Sequence, residues 1–198
     1  QGGVYDPPLR DSKGQMHLYL VRHVQADDGS STKIVLPITE GADYQIDAIV
    51  GFRDNATDGR TLYVLSNASN VLESHLYAIN MDDAPVNLTT LRPLTADRPG
   101  VHDSVVFNAS HTRFVDTWSS RTQAPTVCLC DAKTGKVLQT IHNGGFEAKS
   151  LVARMRLRPP EFREIDSDDG KVKLHMAVYR PDAAVHGPGP YPCVVSVY

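Results

Sequence analysis

The sequence predicts an all-β protein built from antiparallel sheets, and three observations carry that reading. Helical periodicity is nearly absent from the chain. Short runs of alternating or β-branched character recur instead, bounded by Gly, Pro, Asn and Asp. These runs also repeat in a constant order over a long period.

In chain order, the strand-like runs cover residues 17–24, 46–52, 61–65, 75–79, 104–107, 113–117, 126–130, 136–141, 161–165, 172–179 and 193–198. The first repeat is His17-Leu18-Tyr19-Leu20-Val21, matched 58 residues on by His75-Leu76-Tyr77-Ala78-Ile79. Pro37-Ile38-Thr39, with Gly41 after it, returns 56 residues on as Pro93-Leu94-Thr95, with Gly100 after it. Ile49-Val50-Gly51-Phe52 aligns with Val105-Val106-Phe107, and Tyr63-Val64-Leu65-Ser66 with Phe114-Val115-Asp116-Thr117, the latter at an offset of 51. A third unit begins at Thr126-Val127-Cys128-Leu129-Cys130, turns at Lys133-Thr134-Gly135-Lys136 and runs to Ile141, as the outer part of another blade. A drifting period of this length, with strands and turns in fixed order, describes four-stranded antiparallel blades of a β-propeller. Two or three blades cannot close a ring, because each hides its faces only against neighbours, so the chain reads as part of a larger propeller.

After Gly144-Gly145 the pattern changes, and Arg158-Pro159-Pro160 ends the repeat. The runs at 161–165 and 172–179 flank Asp166-Ser167-Asp168-Asp169-Gly170, where Asp-Gly predicts a hairpin with a two-residue type I′ turn. The same acidic cluster lacks the alternating ligands and the bidentate Glu of a calcium loop. Arg180-Pro181 and a loop with Gly187-Pro188-Gly189-Pro190 then lead into Cys193-Val194-Val195-Ser196-Val197-Tyr198, which reads as a strand buried on both faces, as in a parallel sheet. A blade region over residues 1–150 and a different sheet over 151–198 are therefore expected. An uncovered strand at Tyr198 and the absence of an initiator Met at Gln1 both read as the ends of an excerpt.

Of the 198 residues, 41% are hydrophobic and 22% charged, with a net charge of -3. That balance, without a basic block, gives no electrostatic footprint for nucleic acid. No apolar run reaches the roughly 18 residues that spanning a bilayer takes. Three cysteines, Cys128, Cys130 and Cys193, are too few and odd in number for a disulfide framework and read as buried thiols. The eight histidines stand singly, without zinc spacing, so neither a metal site nor a cofactor is expected. Four of the seven asparagines open an Asn-x-Ser/Thr triplet: Asn55, Asn67, Asn87 and Asn108. As candidate glycan acceptors they favour the secretory pathway, the cell surface or a vacuole or lysosome over the cytoplasm.

Other polar residues read as structural. His102-Asp103 and His111 lack an activated Ser beside them and are expected in a surface turn. Trp118 is expected to fill space between blades, and Tyr44 to pack after the Thr-x-Gly of its repeat.

The order of these features resembles the prolyl oligopeptidase clan of serine peptidases, and within it the dipeptidyl peptidase IV family. The resemblance is carried by Leu18-Tyr19, Pro37-Ile38-Thr39-Glu40-Gly41, Leu62-Tyr63-Val64-Leu65-Ser66-Asn67, His75-Leu76-Tyr77, Leu94-Thr95, Gly100-Val101-His102 and the closing Val197-Tyr198, and covers the chain from about Gln15 onward. It implies the last blades of a propeller followed by the first strands of an α/β-hydrolase domain. It further implies a parent enzyme that removes dipeptides from peptides carrying Pro or Ala second from the N-terminus, with the propeller restricting access. A homodimer of the full-length protein is compatible with it. No Gly-x-Ser-x-Gly occurs in the chain, so the nucleophile, acid and base are expected elsewhere and the chain alone is expected to be inactive. By resemblance, Tyr198 is the phenol that stabilises the oxyanion. The competing expectation is a non-catalytic propeller module that binds peptide or protein partners.

Overall fold

The computed structural model describes residues 14–25, 27, 29–39, 43–57, 59–82, 91–145, 154 and 158–197. The chain divides into two compact units: Gln1–Ser120 with Pro125–His142, and Arg121–Ala124 with Asn143–Tyr198.

In the first unit, β1 (Tyr19–Gln25) and β2 (Ser31–Pro37) form a two-stranded sheet. A four-stranded sheet follows, made of β3 (Ile46–Asn55), β4 (Gly59–Ser66), β5 (His75–Asn80) and β6 (Arg92–Pro93) in sequence order. A second four-stranded sheet holds β7 (Val101–Phe107), β8 (Arg113–Ser119), β9 (Thr126–Asp131) and β10 (Val137–Asn143), also in sequence order. Such meanders are propeller blades, so the predicted partial propeller of four-stranded antiparallel blades is what the chain forms.

The sequence repeat has a hydrogen-bond counterpart. Thr39 Oγ1 accepts from Leu18 N–H at 2.8 Å, as Thr95 Oγ1 does from Leu76 N–H at 2.9 Å. Ile38 N–H donates to Leu18 O at 2.8 Å, and Leu94 N–H to Leu76 O at 2.9 Å. Successive sheets are joined the same way: Ile46 N–H donates to Met16 O and His102 N–H to Ser74 O, each at 2.9 Å. The threonine in each copy thus satisfies a backbone donor that a buried strand start would leave unpaired.

The His-Leu-Tyr strand is hydrophobic from Leu76 to Ile79, without alternation, because both of its faces are covered. Along β5, Leu76 and Ala78 join Tyr63, Leu65, Leu94, Phe114, Cys128 and Cys130 in one core. Tyr77 and Ile79, on the opposite face, join Leu18, Ile38, Ile46 and Val64 in another. The two-residue period of a strand deals alternate side chains to the two cores.

Three details depart from the expected repeat. First, the third unit is the outer half of the blade whose inner strands are β7 and β8; the sequence period carried no phase, so its units ran across blades. Second, β3 pairs Ile46 with Ser66 and Ile49 with Val64, whereas β7 pairs His102 with Trp118 and Val105 with Asp116. Val64 therefore matches Asp116, 52 residues on, rather than Val115. A slip of one residue exchanges the two faces, and it is Phe114 that faces the core shared with the preceding blade. Third, β2 and β6 were not anticipated: β2 is almost wholly exposed and β6 has two residues, one of them Pro93.

The second unit holds an antiparallel hairpin, β11 (Glu161–Asp166) and β12 (Lys173–Val178), and a short helix, α1 (Ala183–His186). The hairpin falls where it was expected, but its turn is longer. Ser167 N–H reaches Val172 O at 2.9 Å, leaving four loop residues, and only Gly170 has positive φ, at 67°. A type I′ turn needs positive φ at both central residues; Asp169 instead accepts from Ser167 Oγ at 2.7 Å and Lys171 N–H at 3.1 Å. The helix lies in what read as loop, although Asp182 caps it by accepting from Ala184 N–H at 3.0 Å and Gly187 ends it at φ 77°. Those residues are ordinary start and stop signals. The Val run is the larger correction: residues 191–197 form no strand, and Val194 is 93% exposed. A strand exists only with a partner ladder, and no described residue supplies one. Cys193, expected to be buried, is exposed with it.

Candidate functional site

The densest polar grouping lies between the two complete blades. β7 alternates, turning His102 into the junction while Asp103 faces out, and β8 turns Asp116 in beside it. Both side chains are fully buried. His102 Nδ1 lies 2.8 and 3.0 Å from the two carboxylate oxygens of Asp116, and Nε2 lies 3.0 Å from Arg98 O.

Arg98, on the segment after β6, closes the group from the other side. Its Nε is 3.4 Å from Asp116 Oδ2, an ion pair, and its Nη1 donates to Asp97 Oδ1 at 3.1 Å and to Gly135 O at 3.3 Å. His75 packs against His102 with ring centroids 5.1 Å apart, and Trp118 stacks over it at 5.9 Å. His75 has its own carboxylate, Glu73, 2.7 Å from Nε2. Asp116 is thus a buried anion held between a guanidinium and an imidazole.

This grouping contains the His–Asp geometry of a catalytic pair, but it is closed and has no nucleophile. The nearest sulfur, Cys130 Sγ, is 4.0 Å from Arg98 Nη2, and burial pushes its thiol up to about 12, so it stays protonated at neutral pH. The cluster joins blades. The preceding junction carries Ile46 and Val64 at the positions of His102 and Asp116, and both are buried apolar side chains. One position is therefore built twice, once from hydrocarbon and once from charge.

The sequence-predicted residues fall as follows. His102 is not in a surface turn but on a strand, and its partner is Asp116, 14 positions away, rather than Asp103. Pairing across a sheet is invisible to a search for neighbours in sequence. His111 does sit in the β7–β8 turn, with φ 50°, stacked on Tyr63 and 5.3 Å from Phe107. Trp118 is half-buried at the junction, and its buried indole Nε1 has no hydrogen-bond partner among the described residues. Tyr44 packs against the core around Leu18 and Ile46. Asn55 ends β3, Asn67 follows β4 and Asn108 follows β7. Asn87 and Tyr198 lie outside the described residues. Among the described residues, no group of His, Cys, Asp or Glu could hold a metal ion.

Consecutive four-stranded meanders, each tied to the preceding sheet by a backbone bond from its first strand, define the first unit as a section of a β-propeller. Residues 9–125 match the family model described as the dipeptidyl peptidase IV (DPP IV) N-terminal region, and the chain belongs to that family. Its fold is similar to the crystal structure of Porphyromonas gingivalis dipeptidyl peptidase 4, with a TM-score of 0.59 and 18% sequence identity. That match covers 87% of this chain and 23% of the Porphyromonas gingivalis chain, so this chain spans less than a quarter of that protein's length.

Proposed function

We propose that this chain is part of a serine-type dipeptidyl peptidase that removes dipeptides after Pro or Ala, with the propeller limiting access to the catalytic site. The observation that carries the reading is the family match over residues 9–125, which takes in β1 to β8 and no catalytic motif. In this reading residues 1–150 are late blades and 151–198 open the α/β-hydrolase domain, where β11 and β12 form a sheet of their own. The four Asn-x-Ser/Thr triplets favour a secretory, cell-surface or vacuolar location. No helix among the described residues is long and apolar enough to cross a membrane.

Tyr198 is the one residue of this chain assigned to the chemistry. A neutral phenol at a water-poor site can donate to the oxyanion of the tetrahedral intermediate without a proton shift. The chain itself, lacking Gly-x-Ser-x-Gly, is expected to leave an X-Pro chromogenic dipeptide intact. Turnover by the purified chain, blocked by a serine-directed reagent, would refute that expectation. In the full-length protein, Tyr198→Phe keeps the ring and removes the hydroxyl, and should lower kcat by on the order of 10² with little change in KM. Near-normal kcat in a folded variant would remove Tyr198 from the mechanism. A full-length protein with the nucleophile replaced, binding such peptides without cleaving them, would favour the non-catalytic reading instead.

A further inference from the structure

We propose that Asn67 carries an N-linked glycan in the mature protein. The assignment rests on the secretory location inferred above and goes beyond it by naming the acceptor atom. Asn67-Ala68-Ser69 opens the connection between β4 and β5. The side chain is half-buried, and its Oδ1 accepts from Gln45 N–H at 2.9 Å. Among the described residues, its Nδ2 makes no hydrogen bond. The fold therefore uses the oxygen of this amide and leaves the nitrogen, and an N-glycosidic bond substitutes the nitrogen alone.

Asn108 is the instructive contrast. Its Oδ1 accepts from Thr112 N–H at 2.9 Å and Arg113 N–H at 3.0 Å. Its Nδ2 gives hydrogens to Ser110 Oγ at 3.1 Å and Thr112 Oγ1 at 3.0 Å. A sugar on Nδ2 replaces one of those two hydrogens and so breaks into the knot that shapes the loop carrying His111. At Asn67 no such bond is lost. The connection it opens also exposes Val71 by 61% and Leu72 by 47%, two large apolar side chains in one turn that a carbohydrate chain would screen from water.

The reaction balances without a redox step. Asn67 Nδ2 bonds to the anomeric carbon of a polyprenyl-diphosphate oligosaccharide. The bond from that carbon to the diphosphate oxygen breaks, its electron pair leaves with the polyprenyl diphosphate, and one amide proton passes to the transferase.

The test is peptide mass spectrometry on the full-length protein purified from the cells that make it, before and after a peptide N-glycosidase that converts glycosylated Asn to Asp. Conversion of Asn67 in most molecules, with Asn108 converted less, is the expected result. Asn67→Asp keeps the acceptor for Gln45 and should lose one glycan without a change in Tm; Ser69→Ala should lose the same glycan with Asn67 in place. An unconverted Asn67 beside another converted triplet overturns this assignment and leaves the location standing. If every triplet is unmodified, both fall.

Discussion

Asp116→Ala should destabilise the blades by about 3–5 kcal/mol, the range for removing one partner of a buried ion pair. The carboxylate is fully buried, so solvent does not screen the loss. The change leaves the Arg98 guanidinium and the His102 ring facing a cavity instead of an anion. A lowered thermal or urea midpoint of the full-length protein is the readout, since a multidomain chain does not give a single unfolding free energy. The preceding junction supplies a control. Replacing the group together, Arg98→Ala, His102→Ile and Asp116→Val, removes all of its ionisable side chains at once and copies at two positions the apolar residues, Ile46 and Val64, that stand at the matched places. That triple variant should lose less than Asp116→Ala alone, because no charge is left unpaired. A single variant with an unchanged midpoint, or a triple variant worse than the single, would show that the ion group does not hold the junction.

Gly135→Ala should be comparably damaging, for a backbone reason. Gly135 stands at φ +76°, and a Cβ there would lie 1.9 Å from Leu94 O and 2.7 Å from its carbonyl carbon. Left-handed backbone costs an alanine about 1–2 kcal/mol, and forcing a packed backbone apart adds about 1–3 kcal/mol. Gly29→Ala separates the two terms: φ is +81° but no atom of the described residues lies within 4 Å of the added carbon, so only the first cost applies. Thermal midpoints should fall clearly further for Gly135→Ala than for Gly29→Ala. Equal shifts would mean that the approach to Leu94 relaxes freely.

Much of the fold was legible because strands facing two cores leave a strong trace. Leu76-Tyr77-Ala78-Ile79 is hydrophobic without alternation since β5 is covered on both sides, and the copy of this segment after His17 betrays the repeat. The edges were not legible. β2 and β6 bury little, and hydrophobic pattern records burial rather than pairing. The Val run at 193–197 shows the converse, an apolar segment whose composition demands cover while its pairing depends on neighbours that no local pattern specifies. Of the candidate site, the triplets at Asn55, Asn67 and Asn108 were read directly, but nothing in a triplet tells which amide nitrogen the fold has already used.

By itself, then, the sequence determined the antiparallel blades, their long repeat and the change of character after Gly145, because backbone satisfaction and two-sided burial act on nearby residues and leave periodic marks. Only the tertiary structure decided the phase of the blades, the one-residue register that gives Asp116 the place Val64 holds in the preceding blade, and the grouping of His102 with Asp116 and Arg98. Those depend on strands meeting across a sheet and between sheets, where the partner of a charge is chosen by position in space rather than by distance along the chain.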